Sequence, residues 1–138
     1  MTLLLLDTHV WIWLMEGGEG SLSGRMRNRI LAAGQQDRLR IAAITLWEAS
    51  MLEAKGRVRL GKDCLAWVNE ALTAPGISIA PLTLEIAVES NHLPGGFHGD
   101  PADRLIVATA RRLDASLVTK DERILEYSRK GFVKALQA

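Results

Sequence analysis

Asp100-Pro101-Ala102-Asp103-Arg104-Leu105-Ile106-Val107-Ala108-Thr109-Ala110 reads as the start of an apolar helix with two carboxylates in its first turn. Asp100 suits the N-cap, Pro101 the first helical position and Asp103 the third, from which its carboxylate can reach back to the cap amide. Capping alone accounts for both acids. The alternative is that the same turn presents them to a divalent metal while Leu105, Ile106, Ala108 and Thr109 anchor the helix. Acids at other element ends decide between the two.

Downstream, Arg111 and Arg112 favour a helix C-terminus, and Ala115 to Thr119 forms a short strand with Asp121 just beyond it. Thr119 and Glu122 make a capping pair that leaves Asp121 without a capping duty. Ile124, Leu125 and Tyr127 mark a short last helix, Gly131 breaks it, and Phe132 to Leu136 adds an edge strand. Upstream, His92 to Gly99 is the clearest irregular loop and is placed to shape access to the acids. Its histidines, His92 and His98, read as structural or surface groups.

From the other end, Leu3 to Leu6 has the length and continuous apolarity of a central strand covered on both faces, and Asp7 ends it. Asp7 can turn the chain and cap a helix, or sit at the carboxyl end of a strand where ligands gather. Thr8 to Met15 is then a helix, with His9 structural, and Gly17 to Gly20 stops it. Leu22, Met26 and Ile30 step by four along the next helix, opposite Arg25 and Arg29. Ile41 to Ile44 is a second strand, followed by Thr45 to Glu48 as a capping box. Lys55 to Leu60 reads as a small basic hairpin arm able to attract phosphates. A helix over Lys62 to Leu72, a third strand over Ile77 to Leu82 and a helix from Thr83 complete the alternation of an α/β fold with a mainly parallel sheet.

A chain of 138 residues, 48% of them hydrophobic, can bury one real core, so a single domain over 1–138 is expected. The net charge of +1 excludes a globally basic binder, although a basic surface remains if several acids are gathered in one site. Cys64 is the one cysteine, which rules out an intrachain disulfide and a Cys-x-x-Cys zinc site and fits a reducing, cytoplasmic compartment. The apolar opening lacks a basic leader and meets Asp7 too soon for an export signal or a membrane span.

Asp7, Glu48, Asp103 and Asp121 all fall at expected strand-to-helix junctions, which share one edge of a parallel sheet. Converging carboxylates repel unless protons or cations compensate, and hard oxygen donors suit Mg²⁺ or Mn²⁺. Such an ion favours phosphodiester hydrolysis by an activated water. Cys64 has no histidine near it in sequence, and neither a phosphate-binding Gly-x-x-x-x-Gly-Lys-Ser/Thr loop nor a Gly-x-Gly-x-x-Gly run occurs.

Leu5-Leu6-Asp7-Thr8-His9, Glu48 early in a helix, the Asp100 to Ala110 run and Leu117-Val118-Thr119-Lys120-Asp121 together resemble the PIN-domain family, specifically VapC-type toxins, over nearly the whole chain. The resemblance implies a PIN-like three-layer α/β/α sandwich and a Mg²⁺- or Mn²⁺-dependent endoribonuclease. Its metal-binding acids fall on Asp7, Glu48, Asp103 and Asp121, with Asp100 as cap or alternate ligand. Thr8 and Thr119 are then expected to fix carboxylates or water, and Arg104 to hold phosphate or pair with an acid. The resemblance also implies a homodimer, a cognate VapB-type antitoxin, and operator DNA contacted only through the antitoxin complex. Trp11, Trp13, Met26, Ile30 and Trp47 become candidates for the antitoxin surface.

Other readings are a non-catalytic α/β interaction module with acids as caps, a metal-dependent phosphatase and a DNA nuclease. Against an aspartyl-phosphate phosphatase, Asp7-Thr8-His9 lacks the Asp-x-Asp pair.

Overall fold

Leu4, Leu5 and Leu6 are all buried, and the alternation of their side chains explains why. Leu4 and Leu6 face one core and Leu5 the other, so this strand is apolar throughout because both faces of the sheet are covered. The computed structural model describes residues 2–17 and 21–138. Among them the order is β1 (Leu4–Leu6), α1 (Thr8–Glu16), α2 (Gly24–Gln35), β2 (Leu39–Ala42), α3 (Ala43–Ala54), α4 (Cys64–Ala71), β3 (Ile77–Ala80), α5 (Leu84–Glu89), α6 (Pro101–Leu113), β4 (Ser116–Thr119), α7 (Glu122–Arg129) and β5 (Lys134–Gln137).

The strands pair in the order β3-β2-β1-β4-β5, every pair parallel, which places β1 at the centre. Helices α1 to α4 supply the first core, where Trp11 packs edge-on against Trp67 with ring centroids 5.0 Å apart. On the other face Ile106, Val107 and Ala110 of α6 join Ile124 and Tyr127 of α7 against Leu5 and Leu117. The expected three-layer α/β/α sandwich is therefore present. No helix among the described residues is long and apolar enough to cross a membrane.

Several local expectations change. Gly17 ends α1 in the left-handed conformation as a C-cap, while Gly18 to Gly20 of the expected break lie outside the described residues. The second strand runs over Leu39–Ala42, two residues earlier than the apolar run suggested, and Ala43 and Ile44 already belong to α3. With α3 starting there, Thr45 and Glu48 are interior helix residues and form no capping box. The basic segment before α4 forms no hairpin; Leu60 is instead drawn into the first core with Val58 against it.

Trp11, Met26 and Ile30 are corrected as partner-facing residues, since each is buried within the monomer. A short three-layer domain needs these large side chains to cover its own sheet. Trp13 is half-buried and Trp47 is 57% exposed, so of the five candidates only these retain accessible surface.

Candidate active site

Asp7 follows β1 directly and serves as N-cap of α1, its Oδ1 accepting the Thr8 amide at 2.9 Å. Its Oδ2 accepts the hydroxyl of Thr119, the last residue of the neighbouring strand β4, at 2.6 Å. The same Thr119 oxygen accepts the Asp121 amide at 3.0 Å. One buried threonine thus joins the exits of two adjacent central strands.

Asp121 is itself the N-cap of α7, accepting the Arg123 amide at 2.9 Å. This corrects the expected Thr119–Glu122 cap: Thr119 is committed to Asp7, so the next acid along takes the role. Glu48 lies on the second turn of α3, where the Thr8 hydroxyl donates to its Oε1, and the Thr8 and Thr45 hydroxyls are hydrogen-bonded at 3.3 Å.

The division of the α6 first turn is explicit. Asp100 is the N-cap and accepts the Asp103 amide at 2.9 Å, with Pro101 at the helix start. Asp103 turns inward, and its Oδ2 accepts Arg123 Nη2 at 2.8 Å, a nitrogen also 3.0 Å from Asp121 Oδ2. A loop rather than a strand precedes α6, so Asp103 reaches the edge from a helix packed beneath the sheet and not from a strand end. Among the described residues Arg104 forms no ion pair with an acid; it donates to the Gly99 carbonyl at 2.8 Å and fastens the loop to its helix.

Asp7, Glu48, Asp100, Asp103 and Asp121 line one cleft of about 420 Å³, with His9, Trp13, Arg57, Lys120 and Arg123 around them. Burial pushes the Asp7 carboxyl above its ordinary range, against the hydrogen bonds from Thr119 and Thr8 that favour its charged form. Burial also raises Glu48, helped by the negative charges of Asp7, Asp103 and Asp100 and opposed by Thr8. Asp103 is raised to about 6, first by burial and next by Asp100, with Arg123 pulling the other way. Burial and mutual repulsion thus act together on these three carboxyls.

The donor set is all hard oxygen, the type that Mg²⁺ and Mn²⁺ prefer, and the raised carboxyls show what a divalent cation would relieve. Among the described residues no three acidic or histidine side chains are already drawn together as an ion cage. Asp103 and Asp121 are bridged by the Arg123 guanidinium instead. The residues fit a divalent cation, with Arg123 as its local competitor.

Arg123, Lys120, Arg57, His9 and Trp13 border the acids, and none was assigned to the site from the sequence. Arg123 was findable: placed two residues after an N-cap acid, its side chain folds back over that cap. Lys120 sits between the Thr119 and Asp121 anchors.

A parallel sheet with acids converging at its carboxyl edge is the architecture of a PIN domain, and the chain belongs to that family: the PIN domain model matches residues 4–130. Among its relatives is Ribonuclease VapC22 of Mycobacterium tuberculosis, 36% identical over 128 residues that cover 90% of this chain and 91% of that one. The chain is thus a PIN-domain protein resembling VapC-type toxins. Similar folds occur in VapBC2 from Rickettsia felis bound to a DNA fragment from its promoter and in DNA-bound VapBC from Salmonella typhimurium. Each has a TM-score of 0.70 and covers 99% of this chain and 98% of the other, at 15% and 19% identity respectively.

Proposed function

We propose that this protein is a metal-dependent endoribonuclease acting as the toxin of a VapBC-type toxin–antitoxin pair. The observation that carries the reading is the convergence of Asp7, Glu48, Asp103 and Asp121 on one cleft, where burial first and neighbouring acids second raise the Asp7, Glu48 and Asp103 carboxyls. The 36% identity to a named ribonuclease supports RNA as the substrate.

In this reading Asp7, Glu48, Asp103 and Asp121 hold Mg²⁺ or Mn²⁺, with Asp100 behind Asp103. The bound cation supplies a more acidic water and charge stabilisation at the phosphate. Thr119 and Thr8 orient the Asp7 and Glu48 carboxylates toward the cleft and keep them ionised by donating hydrogen bonds. Arg123 holds Asp103 and Asp121 in place until a cation takes over their charge.

The VapBC likeness supports a cognate VapB-type antitoxin, with Trp13 and Trp47 as the accessible aromatic surface for it. It also supports a homodimer, contact with operator DNA only through the antitoxin complex, and a cytoplasmic location. The test is incubation of antitoxin-free protein and its Asp103→Asn form with cellular RNA and matched DNA, with Mg²⁺ or Mn²⁺ present or chelated. The reading expects cation-dependent cuts in RNA that fall more than about 100-fold in the variant, because even residues that only support a metal's ligands contribute about 10–100-fold. Cutting of DNA but not RNA, or no cutting by the unsubstituted protein, refutes it.

A further inference from the structure

We propose that Arg57 and Lys120 form a binding site for the backbone phosphates that flank the scissile bond of a single-stranded RNA; this rests on the ribonuclease reading above. Both line the acidic cleft and are exposed. Arg57 comes from the irregular segment after α3, and Lys120 from the turn between β4 and α7.

The distinguishing observation is what these cations do not do. In the larger cavity at the other end of the sheet, the cations are all spoken for: Arg111 and Arg112 bind Glu89 at 2.9 and 3.2 Å, and Lys134 binds Asp114 at 2.8 Å. In the acidic cleft Arg123 likewise takes Asp103 and Asp121. Arg57 and Lys120 line the same cleft as five carboxylates, yet among the described residues neither makes a salt bridge or a side-chain hydrogen bond. The Lys120 ammonium lies 5.3 Å from the centre of the Trp13 ring, so an aromatic face and not a carboxylate holds it.

Two cations kept apart from nearby acids retain their full charge for an incoming anion. A polyanion approaching this cleft meets repulsion from the carboxylates, which the flanking cations must offset if its phosphates are to settle beside them. A cleft with acids in the floor and free cations on the rim fits a chain of regularly spaced phosphates, one presented to the acids and its neighbours to Arg57 and Lys120.

The test uses the full chain in an Asp103→Asn background, so that the probe stays intact, with a fluorescein-labelled single-stranded RNA and binding followed by anisotropy across a salt series. Each phosphate contact contributes about 0.7 to the slope of log affinity against log salt. Arg57→Gln and Lys120→Gln should each make the slope shallower by about that amount, and Lys120→Arg should restore it. Both residues are exposed, and circular dichroism checks that the variants fold. In the active background the same variants should raise KM with little change in kcat, since these phosphates are held alike before and during reaction. Unchanged slopes with cleavage of RNA retained overturn this proposal and leave the ribonuclease reading standing. Unchanged slopes with weakened binding of an acidic antitoxin segment assign the cations to the protein partner and also overturn it. A protein that neither cuts nor binds RNA overturns both readings.

Discussion

Thr119 donates its hydroxyl proton to Asp7 Oδ2 at 2.6 Å, linking residues 112 positions apart in the chain. The bond crosses from β4 to the exit of β1, and the same threonine oxygen accepts the Asp121 amide. Thr119→Val keeps the shape of this buried side chain but removes both bonds. Stability at neutral pH should fall by about 1–3 kcal/mol, the usual cost of leaving buried polar groups unpaired. The Asp7 carboxyl should titrate still higher, because a donor to its charged form is gone. Urea unfolding and carbon-detected titration read the two effects, and an unmoved Asp7 midpoint would refute the link.

Asp103 is raised to about 6 from the ordinary 3.8, with Asp100 the largest cause after burial. The native chain therefore holds a proton that the unfolded chain has lost between those values. The stability contributed by this group is complete below the unfolded value and is lost as pH rises through about 6. Asp7 and Glu48 are raised as well and act in the same sense. Asp100→Asn preserves the cap, since Asn caps as well as Asp, and removes the neighbouring charge. With cations chelated, the Asp103 midpoint should fall and the loss of melting temperature between mildly acidic and neutral pH should shrink. An identical pH profile in the variant would contradict this.

Arg123 spans Asp103 and Asp121 with one nitrogen, at 2.8 and 3.0 Å. Arg123→Gln removes a positive charge where a divalent cation is expected to bind. Its head group is solvent-exposed, so a water-screened repulsion of about 2 kcal/mol at about 4 Å applies to a divalent ion, and Mn²⁺ affinity should rise about thirtyfold. Without added metal the Asp103 carboxyl should titrate above its present value. Isothermal titration measures the first effect, and weaker Mn²⁺ binding would make Arg123 a helper of the ion and not its competitor.

Gly76 precedes β3 with φ +75°, and a Cβ there would fall 1.9 Å from the Gly34 carbonyl oxygen. Gly76 also accepts the Leu39 amide at 3.1 Å, which starts the β2–β3 pairing. Gly76→Ala combines a left-handed backbone with a clash against main chain and should cost more than about 2 kcal/mol in urea unfolding. Ribonuclease activity per folded molecule should persist, because β3 is the edge strand farthest from β4.

The alternation of short apolar runs with helical patterns was enough to read the layered sheet, and acids at element starts were enough to read the cleft. Boundaries failed where one residue type serves two purposes. Thr45 and Glu48 match a capping box in spacing, but the helix had already begun at Ala43 because the strand ends at Ala42. The resemblance made Trp11 and Ile30 candidates for the antitoxin surface, yet the stacking of four helices on one sheet face encloses them. The cationic border was legible only in part: Arg57 falls in the basic stretch over Lys55 to Leu60 and Arg123 follows a cap acid, but only folding shows which acids Arg57, Lys120 and Arg123 accept and which they decline.

The acids and Arg57 also belong to different tiers of mobility. Asp7 and Asp121 extend from β1 and β4, which are paired on both sides at the middle of the sheet, so disturbing them means opening the whole domain. Arg57 stands exposed in the irregular segment between α3 and α4, outside the sheet, so its surroundings can change without unpairing a strand. Sequence drift in that segment can retune which strands are gripped, and how firmly, while the cutting centre keeps its shape.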